Sequence, residues 1–436
     1  MSNTGRAHIR WLRNTAPYIN MHRDKVFVMM LGGEAALHNN FSNIIHDIAL
    51  LNSLGVKLVL IHGSRPQIEA RLAGAGLQGE FYQGKRITDD DALEHVKDAA
   101  GSLRAQFEAL LSMGLPNSPM AGSRIRVCSG NFVTAKPLGV LDGTEFHHTG
   151  AVRRIDADAI HQLLNEGSIV LLSPLGYSPT GEIFNLALED IAVSCAAAIN
   201  ADKLLLFGNA PGILDQDGQL IRQCTAGGIA GLSVNEPEQA SLLETAKRAC
   251  IAQVPRCHII SYSEDCALLE ELFTHDGSGT LVANDDYEQS RAANIDDVGG
   301  ILELIEPLEQ KGILLKRSRE LLETEIQQFR LLERDGRIIA CAALYPFNED
   351  GCGEVACIVS HPEYHGGQRG QRLLRELEQE ALHLGLERVF VLTTQTTHWF
   401  IEQGFVESSR DQLPTGKQSL YNLQRNSKVL FKDLKH

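Results

Sequence analysis

Glycine and arginine residues meet at one turn near the end of the sequence, between an apolar run and a helical pattern. The apolar run is CGEVACIVS, and the turn that follows contains Gly366, Gly367 and Gly370 together with Arg369 and Arg372. Backbone N–H groups at a helix start have no intrahelical partner, and with the helix dipole they hold anions, especially phosphates. This turn could therefore cradle a pyrophosphate. The alternative is a glycine-rich turn that only leads into a surface helix.

The elements around this turn predict a small α/β unit. The segment FRLLERDGRIIACAALYP has the pattern of a hairpin that turns at Asp335 and Gly336, and RVFVLTT, THWFIEQ and SKVLFKDL predict a strand, a short helix and a last strand. One helix is predicted before the hairpin and a long one after the glycine-rich turn. Their apolar faces contain Ile295, Val298, Ile301, Leu302, Ile305 and Leu308, and Leu373, Leu374, Leu377, Ala381 and Leu384.

The first two thirds of the chain predict a mostly parallel sheet with helices on both faces. Four short apolar runs, KVFVMML, VKLVLIHGS, GSIVLLSP and ADKLLLFG, alternate with helical patterns such as the stripe from Phe41 to Leu51. Ligands in such sheets bind at the carboxyl ends of the strands. These ends carry Gly32–Gly33, His62–Pro66 and Gly208–Asn209.

Length, charge and cysteine content restrict the class of protein. The 436 residues predict two or three domains, and the net charge of −15 argues against binding to nucleic acid or to a membrane surface. The nine cysteines are scattered and are expected to be reduced. The N-terminus has no apolar signal core and no apolar run could span a membrane, so we expect a cytoplasmic protein. We expect no metal site, although Cys352, Cys357, His361 and His365 lie close together.

The order of helix, hairpin, strand, glycine-rich loop, helix and strand resembles the GNAT family of acetyltransferases. The resemblance extends over the whole chain to the bacterial N-acetylglutamate synthase family, which joins an amino-acid-kinase-like domain to a GNAT domain. It rests on PYINMHR, FVMMLGGEA, SGNFVTAKPLGV, ISYSEDCALLEELFTHDGSGT, RAANIDDVGGILELIEPLEQKGILLKRSRE, IACAALYPF, VLTTQTTHWFIEQGF and QRNSKVL.

The resemblance implies an α/β fold in two domains. Residues 1–283 would form the amino-acid-kinase-like domain, with a mostly parallel sheet sandwiched by helices, and residues 291–436 the GNAT-fold α/β domain after a linker at 284–290. Residues 1–24 would contain an N-terminal helix that links subunits, and the family suggests a hexamer.

For the acetyltransferase domain, the resemblance implies acetyl-CoA as co-substrate and no tightly bound cofactor. His365 and Gln368 depart from the family's acetyl-CoA motif, which has Arg or Gln and a first glycine at these positions, whereas Gly370 matches it. The residues implied to bind acetyl-CoA are Cys357, Ile358, Val359, Gln368, Arg369 and Gly370.

The resemblance also implies the groups that carry out acetyl transfer. Glu354 matches the general base, and a carboxylate in an apolar strand is suited to take a proton from an ammonium. Thr393 matches an assisting hydroxyl, and Tyr421 would protonate the leaving thiolate, with Tyr364 as a competitor. The implied glutamate-binding residues are Lys316, Arg317, Arg425 and Ser427. The alternative for Glu354 is an outward-facing glutamate, and that for Thr393 is an ordinary β-branched strand residue. The basic residues could instead be surface charges, and the reaction could instead pass through an acyl-enzyme on Cys357.

For the kinase-like domain, the resemblance implies that phosphoryl transfer is lost and that L-arginine binds as an inhibitor. Met30 replaces a lysine of the kinases, and the bulky Arg65 lies where a phosphate would need close backbone approach. Glu189–Asp190 and Gly208–Asn209 depart at two further kinase positions. The candidates for the arginine site are Tyr18, Lys203, His258, Glu271, Gly277 and Gly279. The alternative is that Lys203 and Glu271 are surface charges and that His258 is a histidine with satisfied hydrogen bonds and no ligand.

Together these implications predict a glutamate N-acetyltransferase that makes N-acetyl-L-glutamate from acetyl-CoA and L-glutamate, opens arginine biosynthesis and is inhibited by L-arginine. The alternatives are an acetylglutamate kinase, a non-catalytic arginine sensor, and a GNAT enzyme for another amine.

Overall fold

The chain folds into two compact units, Met1–Asp285 and Asp286–His436. The structure is a computed structural model that describes residues 13, 15–114, 119–274, 276–284, 288–334, 337–362, 368–418 and 427–434, with residue 230 described by its backbone alone. In this part of the chain, no helix has both the length and the apolar character that crossing a bilayer requires.

The first unit is built on an eight-stranded sheet with the strand order β14-β16-β15-β13-β1-β2-β10-β5, in which β15 and β16 are antiparallel and the other neighbours parallel. The four apolar runs of the sequence form β1, β2, β10 and β13, as predicted. The strands of the unit are β1 Val26–Leu31, β2 Lys57–His62, β3 Glu80–Tyr82, β4 Lys85–Ile87, β5 Val127–Cys128, β6 Val133–Pro137, β7 Val140–Leu141, β8 Thr144–Glu145, β9 Thr149–Ile155, β10 Ile169–Leu172, β11 Leu175–Tyr177, β12 Ile183–Leu186, β13 Lys203–Gly208, β14 Gln223–Thr225, β15 Arg256–Ser261 and β16 Thr280–Ala283.

Helices cover both faces of this sheet. Alternate residues of β1 enter two separate cores, one under the stripe from Phe41 to Leu51 and one on the opposite face. Strands β11, β12, β9 and β6 close a small barrel. The helices are α1 over 15–22, α2 Phe41–Ser53, α3 Arg65–Gly74, α4 Asp90–Leu111, α5 Ala157–Asn165, α6 Leu188–Ala198, α7 Pro237–Ile251 and α8 Ala267–Phe273.

The second unit contains a seven-stranded sheet with the strand order β17-β18-β19-β20-β21-β23-β22. All neighbours are antiparallel except β20 and β21, which are parallel. The predicted hairpin is confirmed by the pairing of β18 with β19, although its turn at Asp335 and Gly336 lies outside the described residues. The strands are β17 Gln289–Ala292, β18 Phe329–Arg334, β19 Arg337–Phe347, β20 Cys352–Ser360, β21 Arg388–Thr393, β22 Val406–Ser408 and β23 Lys428–Asp433.

Two long helices cover opposite faces of this second sheet. Side chains of α9 pack on Cys341 and Ala343 of β19, and side chains of α11 pack on the alternate residues Ala342 and Leu344. The helices are α9 Val298–Gln310, α10 Arg319–Glu325, α11 Arg369–His383, α12 Thr397–Glu402 and α13 Thr415–Gln418. The α/β fold class is therefore confirmed.

Two positions of the predicted apolar faces are wrong. Ile295 precedes α9 in a short 3₁₀ turn and is 56% exposed, and Leu384 follows the end of α11 and is 51% exposed. Each residue continues the helical spacing of apolar residues in the sequence, but it lies outside the helix. The backbone therefore does not direct its side chain into the core.

Candidate active site

Strand β20 leaves its parallel neighbour β21 directly after Glu354. The pairing joins Cys352–Glu354 to Arg388–Phe390 and ends there, while β20 continues along β19. Further along β20, Cys357 has a left-handed φ of 52°, and the register with β19 shifts around it. Such a bulge bends a strand and increases its twist. Residues 355–360 therefore have no β21 partner, and their backbone can pair with an extended ligand along that edge.

The Glu354 carboxylate is buried at this fork and paired with a lysine. Glu354 is 7% exposed, and its Oε2 lies 2.5 Å from Nζ of Lys417 on α13. The side-chain amide of Gln418 donates to the Leu413 carbonyl at 2.7 Å and fixes this short helix to the buried Leu413. Lys417 thus supplies the opposite charge that the burial of a carboxylate requires.

Thr393 and Ser427 lie at the same edge of the sheet, where β21 ends and β23 begins. Thr393 pairs with Lys428, the residue after Ser427, and both Thr393 and Ser427 are buried. The Thr393 hydroxyl lies 2.9 Å from that of Thr396 and accepts the Thr396 backbone N–H at 3.1 Å. This hydroxyl therefore also stabilises the turn that leads into α12.

The N-terminus of α11 lies against the released part of β20. A Cβ at Gly370 would lie 3.3 Å from the Trp399 ring and 3.6 Å from the Ile358 side chain, so glycine permits this close approach. Gln368 precedes the helix with a left-handed φ of 58° and provides no side-chain cap. Within the described residues, no side-chain cap from Gln368 occupies the start of α11, and N–H groups at a helix start can hold an anion.

Arg369 contributes to this region through its backbone, because its side chain is engaged elsewhere. The Arg369 Nε lies 2.8 and 3.0 Å from the two carboxylate oxygens of Glu288, and both side chains are largely buried. The sequence had suggested the guanidinium as additional charge for a pyrophosphate. In the structure this charge is neutralised by Glu288.

Of the residues predicted to bind glutamate, Arg317 lies close to the bulge. Its backbone N–H donates to Glu309 at 2.9 Å, and its guanidinium donates to the Leu315 carbonyl at 3.2 Å. Burial opposes its charge, but the nearby Cys357, Tyr345 and Glu325 raise the pKa of the guanidinium above its ordinary value. Lys316 is exposed.

Cys357 has the properties of a buried thiol rather than of a nucleophile. Burial raises the pKa of Cys357 to about 11, although Arg317 favours the thiolate. Since the thiolate is the reactive form, this environment disfavours the acyl-enzyme alternative.

Several predicted positions lie outside the described residues. They are Tyr364, His365, Gly366 and Gly367 of the glycine-rich turn, and Tyr421 and Arg425 of the segment before β23. No group of three or more metal-ligating side chains occurs among the residues that the structure describes.

In the first unit, four of the six predicted arginine-site residues form one buried network. The Lys203 ammonium lies 3.3 Å from Nε2 of His258, whose Nδ1 lies 2.5 Å from a Glu271 oxygen. The other Glu271 oxygen accepts the N–H groups of Ser278 and Gly279 at 2.8 Å each. Burial, and after it Lys203, lowers the pKa of His258, so a neutral ring accepts from the lysine and donates to the carboxylate.

The remaining two arginine-site candidates border this network. Gly277 has a left-handed φ of 65°, and its Cα lies so close to Glu271 that a side chain would collide with the carboxylate. Tyr18 lies on α1, whose His22 bonds the carbonyl of Leu272, the residue after Glu271, at 2.7 Å.

The residues that depart from the kinase pattern have structural partners. Met30 is buried in the core at the end of β1, and the Arg65 guanidinium lies 4.9 Å from the centre of the Phe81 ring. Asp190 pairs with Arg248 at 2.5 Å in the first turn of α6. A cation for a transferring phosphoryl group is therefore absent at Met30, and Asp190 is already neutralised.

Two residues beside Glu354 were not expected from the sequence, its ion-pair partner Lys417 and its cross-strand partner Tyr345. Lys417 lies in a polar segment whose helix spans four residues, and Tyr345 occupies an apolar strand where an aromatic residue needs no special explanation. No local pattern identifies either of them.

Comparison with known proteins supports both units. The Amino acid kinase family matches residues 25–261, and the Acetyltransferase (GNAT) family matches residues 301–405. The amino-acid acetyltransferase of Pseudomonas fluorescens is 57% identical, over 98% of this chain and 99% of its own length. That of Pseudomonas aeruginosa is 56% identical with the same coverage.

Two solved structures of N-acetylglutamate synthase from Neisseria gonorrhoeae are similar over 98% of this chain and 99% of their own. The structure complexed with coenzyme A and L-arginine has a TM-score of 0.90 at 36% identity. The structure complexed with coenzyme A and N-acetyl-glutamate has a TM-score of 0.63 at 37% identity. The resemblance found in the sequence is thereby confirmed, and this chain belongs to the amino-acid acetyltransferase family, in which an amino-acid-kinase-like domain is joined to a GNAT acetyltransferase domain.

Proposed function

We propose that this protein transfers the acetyl group of acetyl-CoA to the α-amino group of L-glutamate, which yields N-acetyl-L-glutamate and CoA. The observation that carries the proposal is the buried Glu354 carboxylate at the point where β20 leaves β21. A base at this point lies at the start of an open strand edge that a thioester can follow. Substrates of this type are in accord with the coenzyme A and N-acetyl-glutamate of the neisserial complexes.

In this reaction the co-substrate pairs with the backbone of Cys357, Ile358 and Val359. Its pyrophosphate meets the first N–H groups of α11 at Gln368, Arg369 and Gly370. Because the Arg369 guanidinium is neutralised by Glu288, the helix terminus supplies most of the attraction. Acetyl-CoA acts as co-substrate and leaves as CoA.

Glu354 accepts a proton from the glutamate ammonium, directly or through a water held by Thr393, and the freed amine attacks the thioester carbonyl. The tetrahedral intermediate then expels the CoA thiolate, which takes a proton from Tyr421. The nitrogen gives up its second proton to the Tyr421 phenolate, and Glu354 releases the first proton to solvent, so that both groups return to their starting states. Lys417 is the charge partner of Glu354 before the amine is bound. Lys316, Arg317, Arg425 and Ser427 bind the two carboxylates of glutamate.

We further propose that L-arginine inhibits this reaction from the first unit, at Tyr18, Lys203, His258, Glu271, Gly277 and Gly279. A buried cation and a buried anion linked by one histidine suit a ligand that has both a carboxylate and a guanidinium. Such feedback fits the opening step of arginine biosynthesis in the cytoplasm. A hexamer is proposed on the family resemblance alone.

The test is CoA release from acetyl-CoA in the presence of L-glutamate, with and without L-arginine, beside an ATP hydrolysis control. Glutamate-dependent release that arginine suppresses, without ATP hydrolysis, supports both proposals. Release without an arginine effect removes the regulatory proposal alone. Arginine binding without release would instead indicate a sensor, and glutamate-independent ATP turnover a kinase.

A further inference from the structure

A carboxylate of the chain itself lies at the start of α11. Glu288, the residue before β17, pairs with Arg369, the first residue of the helix. The two carboxylate oxygens accept from Nε of the arginine at 2.8 and 3.0 Å, and Nη2 lies 2.5 Å from one of them. The two side chains are only 15% and 13% exposed. Two donors of one guanidinium thus bind one carboxylate, a strong and geometrically specific form of ion pair.

The position of this pair affects the attraction of the helix start for anions. The first N–H groups and the dipole of a helix attract negative charge. Arg369 belongs to this first turn, and its side chain is long and flexible enough to reach an anion that the N–H groups hold. Glu288 neutralises the guanidinium and adds a negative charge at the same place. The carboxylate therefore weakens the attraction of this turn for a phosphate.

Other contacts hold α11 on the sheet. Its buried apolar stripe packs on β19, and Glu380 near its end pairs with Arg330 of β18 at 2.9 Å. In the middle of the helix, Glu376 accepts a hydrogen bond from Ser290 of β17. These contacts connect the helix to both strands at the edge where Glu288 lies. The pair at the first residue of α11 therefore matters less for anchoring than for the charge at the helix start.

We propose that Glu288 is a positioning residue for the co-substrate: its carboxylate competes with the pyrophosphate of acetyl-CoA for the Arg369 guanidinium and so limits how tightly acetyl-CoA and the product CoA are held. The inference rests on the proposed function, in which the pyrophosphate meets the first N–H groups of α11. Limited affinity favours turnover, because product release is the slow step of many enzymes and a loosely held product leaves faster.

The decisive measurement is the Kd for CoA of the full-length protein, obtained by calorimetry. Glu288→Gln keeps the shape of the side chain and removes its negative charge. The Kd should fall about fivefold, a gain typical of one ionic contact at a site that a ligand can enter. The KM for acetyl-CoA should fall by a similar factor, while the KM for glutamate stays within about twofold. An unchanged or higher Kd for CoA would overturn the inference.

The direction of the effect in two further variants separates competition from anchoring. Arg369→Gln leaves the Glu288 carboxylate beside the pyrophosphate, so the Kd for CoA should rise about fivefold. The double variant removes both charges, and its Kd should return to within about twofold of the wild-type value. If the pair only anchored α11, both single variants would weaken CoA binding and the double variant would not recover. That pattern would refute the competition.

A thioester without a pyrophosphate tests which part of the co-substrate is involved. S-acetyl-pantetheine has the acetyl thioester and the pantetheine arm but no phosphate. Glu288→Gln should therefore leave kcat/KM for this substrate within about twofold of the wild type, although it raises kcat/KM for acetyl-CoA. An equal increase for both thioesters would contradict the inference, since the carboxylate would then act on the thioester end of the site.

Glu333→Gln is the matched control. Glu333 is a half-buried carboxylate of β18, and its Oε2 accepts from Nε of Arg291 on β17 at 2.6 Å. The substitution thus changes the charge of the unit by the same amount and loosens the same edge strand, but at a pair that does not include α11. The Kd for CoA should stay within about twofold of the wild type. An equal fall in this control would overturn the inference, because net charge alone would then explain the effect.

Failure of the inference is distinguishable from failure of the proposed function. If Glu288→Gln does not tighten CoA binding while the wild type acetylates glutamate, the role of Glu288 is refuted and the reaction stands. If the wild type binds CoA but releases none from acetyl-CoA with glutamate, the reaction is refuted, and the Kd values of the variants still decide the inference. If the wild type binds no CoA, both are refuted.

Discussion

At the residue scale, the fork between β20 and β21 gives Glu354 two properties of a general base. The carboxylate is removed from bulk water, and Lys417 at 2.5 Å keeps a charge partner beside it. A base must be ionised before it can accept a proton, so burial without the lysine would work against the reaction. When glutamate binds, its ammonium can replace that of Lys417 as the charge partner of Glu354.

Glu354→Gln should therefore lower kcat by about 100-fold, the usual contribution of a positioned general base, and should leave the KM for acetyl-CoA nearly unchanged. Steady-state CoA release gives both constants. Glu407→Gln is the matched control, because it removes a carboxylate that pairs with Lys428 at 2.6 Å on the exposed side of the same unit. A kcat near that of the wild type in Glu354→Gln would exclude Glu354 as the base.

Glu271 makes a separate prediction for the dependence of stability on pH. Burial opposes its charge, but the bond with His258 and the N–H groups of Gly279 and Ser278 lower the pKa of Glu271 from 4.5 to about 2. A depressed pKa stabilises the folded state on the order of 3 kcal/mol above pH 4.5, and this stabilisation disappears as the pH falls from 4.5 towards 2.

Glu271→Gln should consequently be less stable than the wild type at pH 7, and the difference should shrink at pH 3. Urea unfolding at the two pH values, followed through the transition of the first unit, measures this difference in the free energy of unfolding. Glu270→Gln, which changes the exposed neighbour on α8, should show no such pH dependence. A constant difference between wild type and Glu271→Gln at both pH values would contradict the proposed electrostatic origin.

Single residues are also where inference from the sequence reached its limit. The type and position of Glu354, Arg317 and Lys203 were recognisable, because motifs keep such residues in order along the chain. Their partners were not recognisable, because Lys417 and Glu288 meet Glu354 and Arg369 only after folding. The sequence around a charged residue in a polar segment does not indicate which carboxylate that residue will neutralise.

At the element scale, periodicity predicted the helices and the buried strands, since burial of one face repeats along the chain. It failed at the helix ends, because Ile295 and Leu384 continue the apolar spacing but lie outside the helices and are exposed. It also could not show the bulge at Cys357, because a left-handed residue other than glycine leaves no compositional sign. The pattern of β20 likewise does not show where the strand leaves β21.

The close approach of α11 to β20 makes a prediction for Gly370. A methyl group there would lie 3.3 Å from Trp399 and 3.6 Å from Ile358, so Gly370→Ala should displace the first turn of the helix. We expect the KM for acetyl-CoA to rise about fivefold through this overpacking, with the KM for glutamate little changed.

Gly299→Ala is a matched control for this prediction. Gly299 is likewise the second residue of its helix, and a Cβ there would meet nothing within 4 Å. The control should leave both KM values unchanged. Equal behaviour of the two variants in steady-state assays would show that the contact with Ile358 and Trp399 does not matter for the co-substrate.

At the scale of the whole molecule, catalysis and inhibition are proposed for different units of one chain. The catalytic candidates belong to the second unit and the arginine-site candidates to the first. Because the two sites belong to different units, inhibition requires arginine to bind more tightly to one state of the molecule than to the other. Variants of the two sites should therefore separate the two properties.

Lys203→Met should abolish arginine inhibition while CoA release without arginine stays within about twofold, since the lysine belongs to the first unit, where its ammonium lies 3.3 Å from His258. Conversely, Glu354→Gln should still bind arginine, detectable by calorimetry. Loss of basal activity in Lys203→Met, with its folding intact by circular dichroism, would show that the two units cannot be separated in this way.

Thermodynamic linkage sharpens the same prediction. If arginine raises the Kd of the enzyme for glutamate or acetyl-CoA by some factor, that ligand must raise the Kd for arginine by the same factor. Calorimetric titration of arginine with and without saturating co-substrate gives one side of this equality, and titration of the co-substrate with and without arginine gives the other. If the two factors are equal and greater than one, arginine inhibits by weakening the binding of that ligand. If both factors equal one while inhibition persists, arginine acts on the rate of acetyl transfer, and the network around His258 controls the chemical step instead.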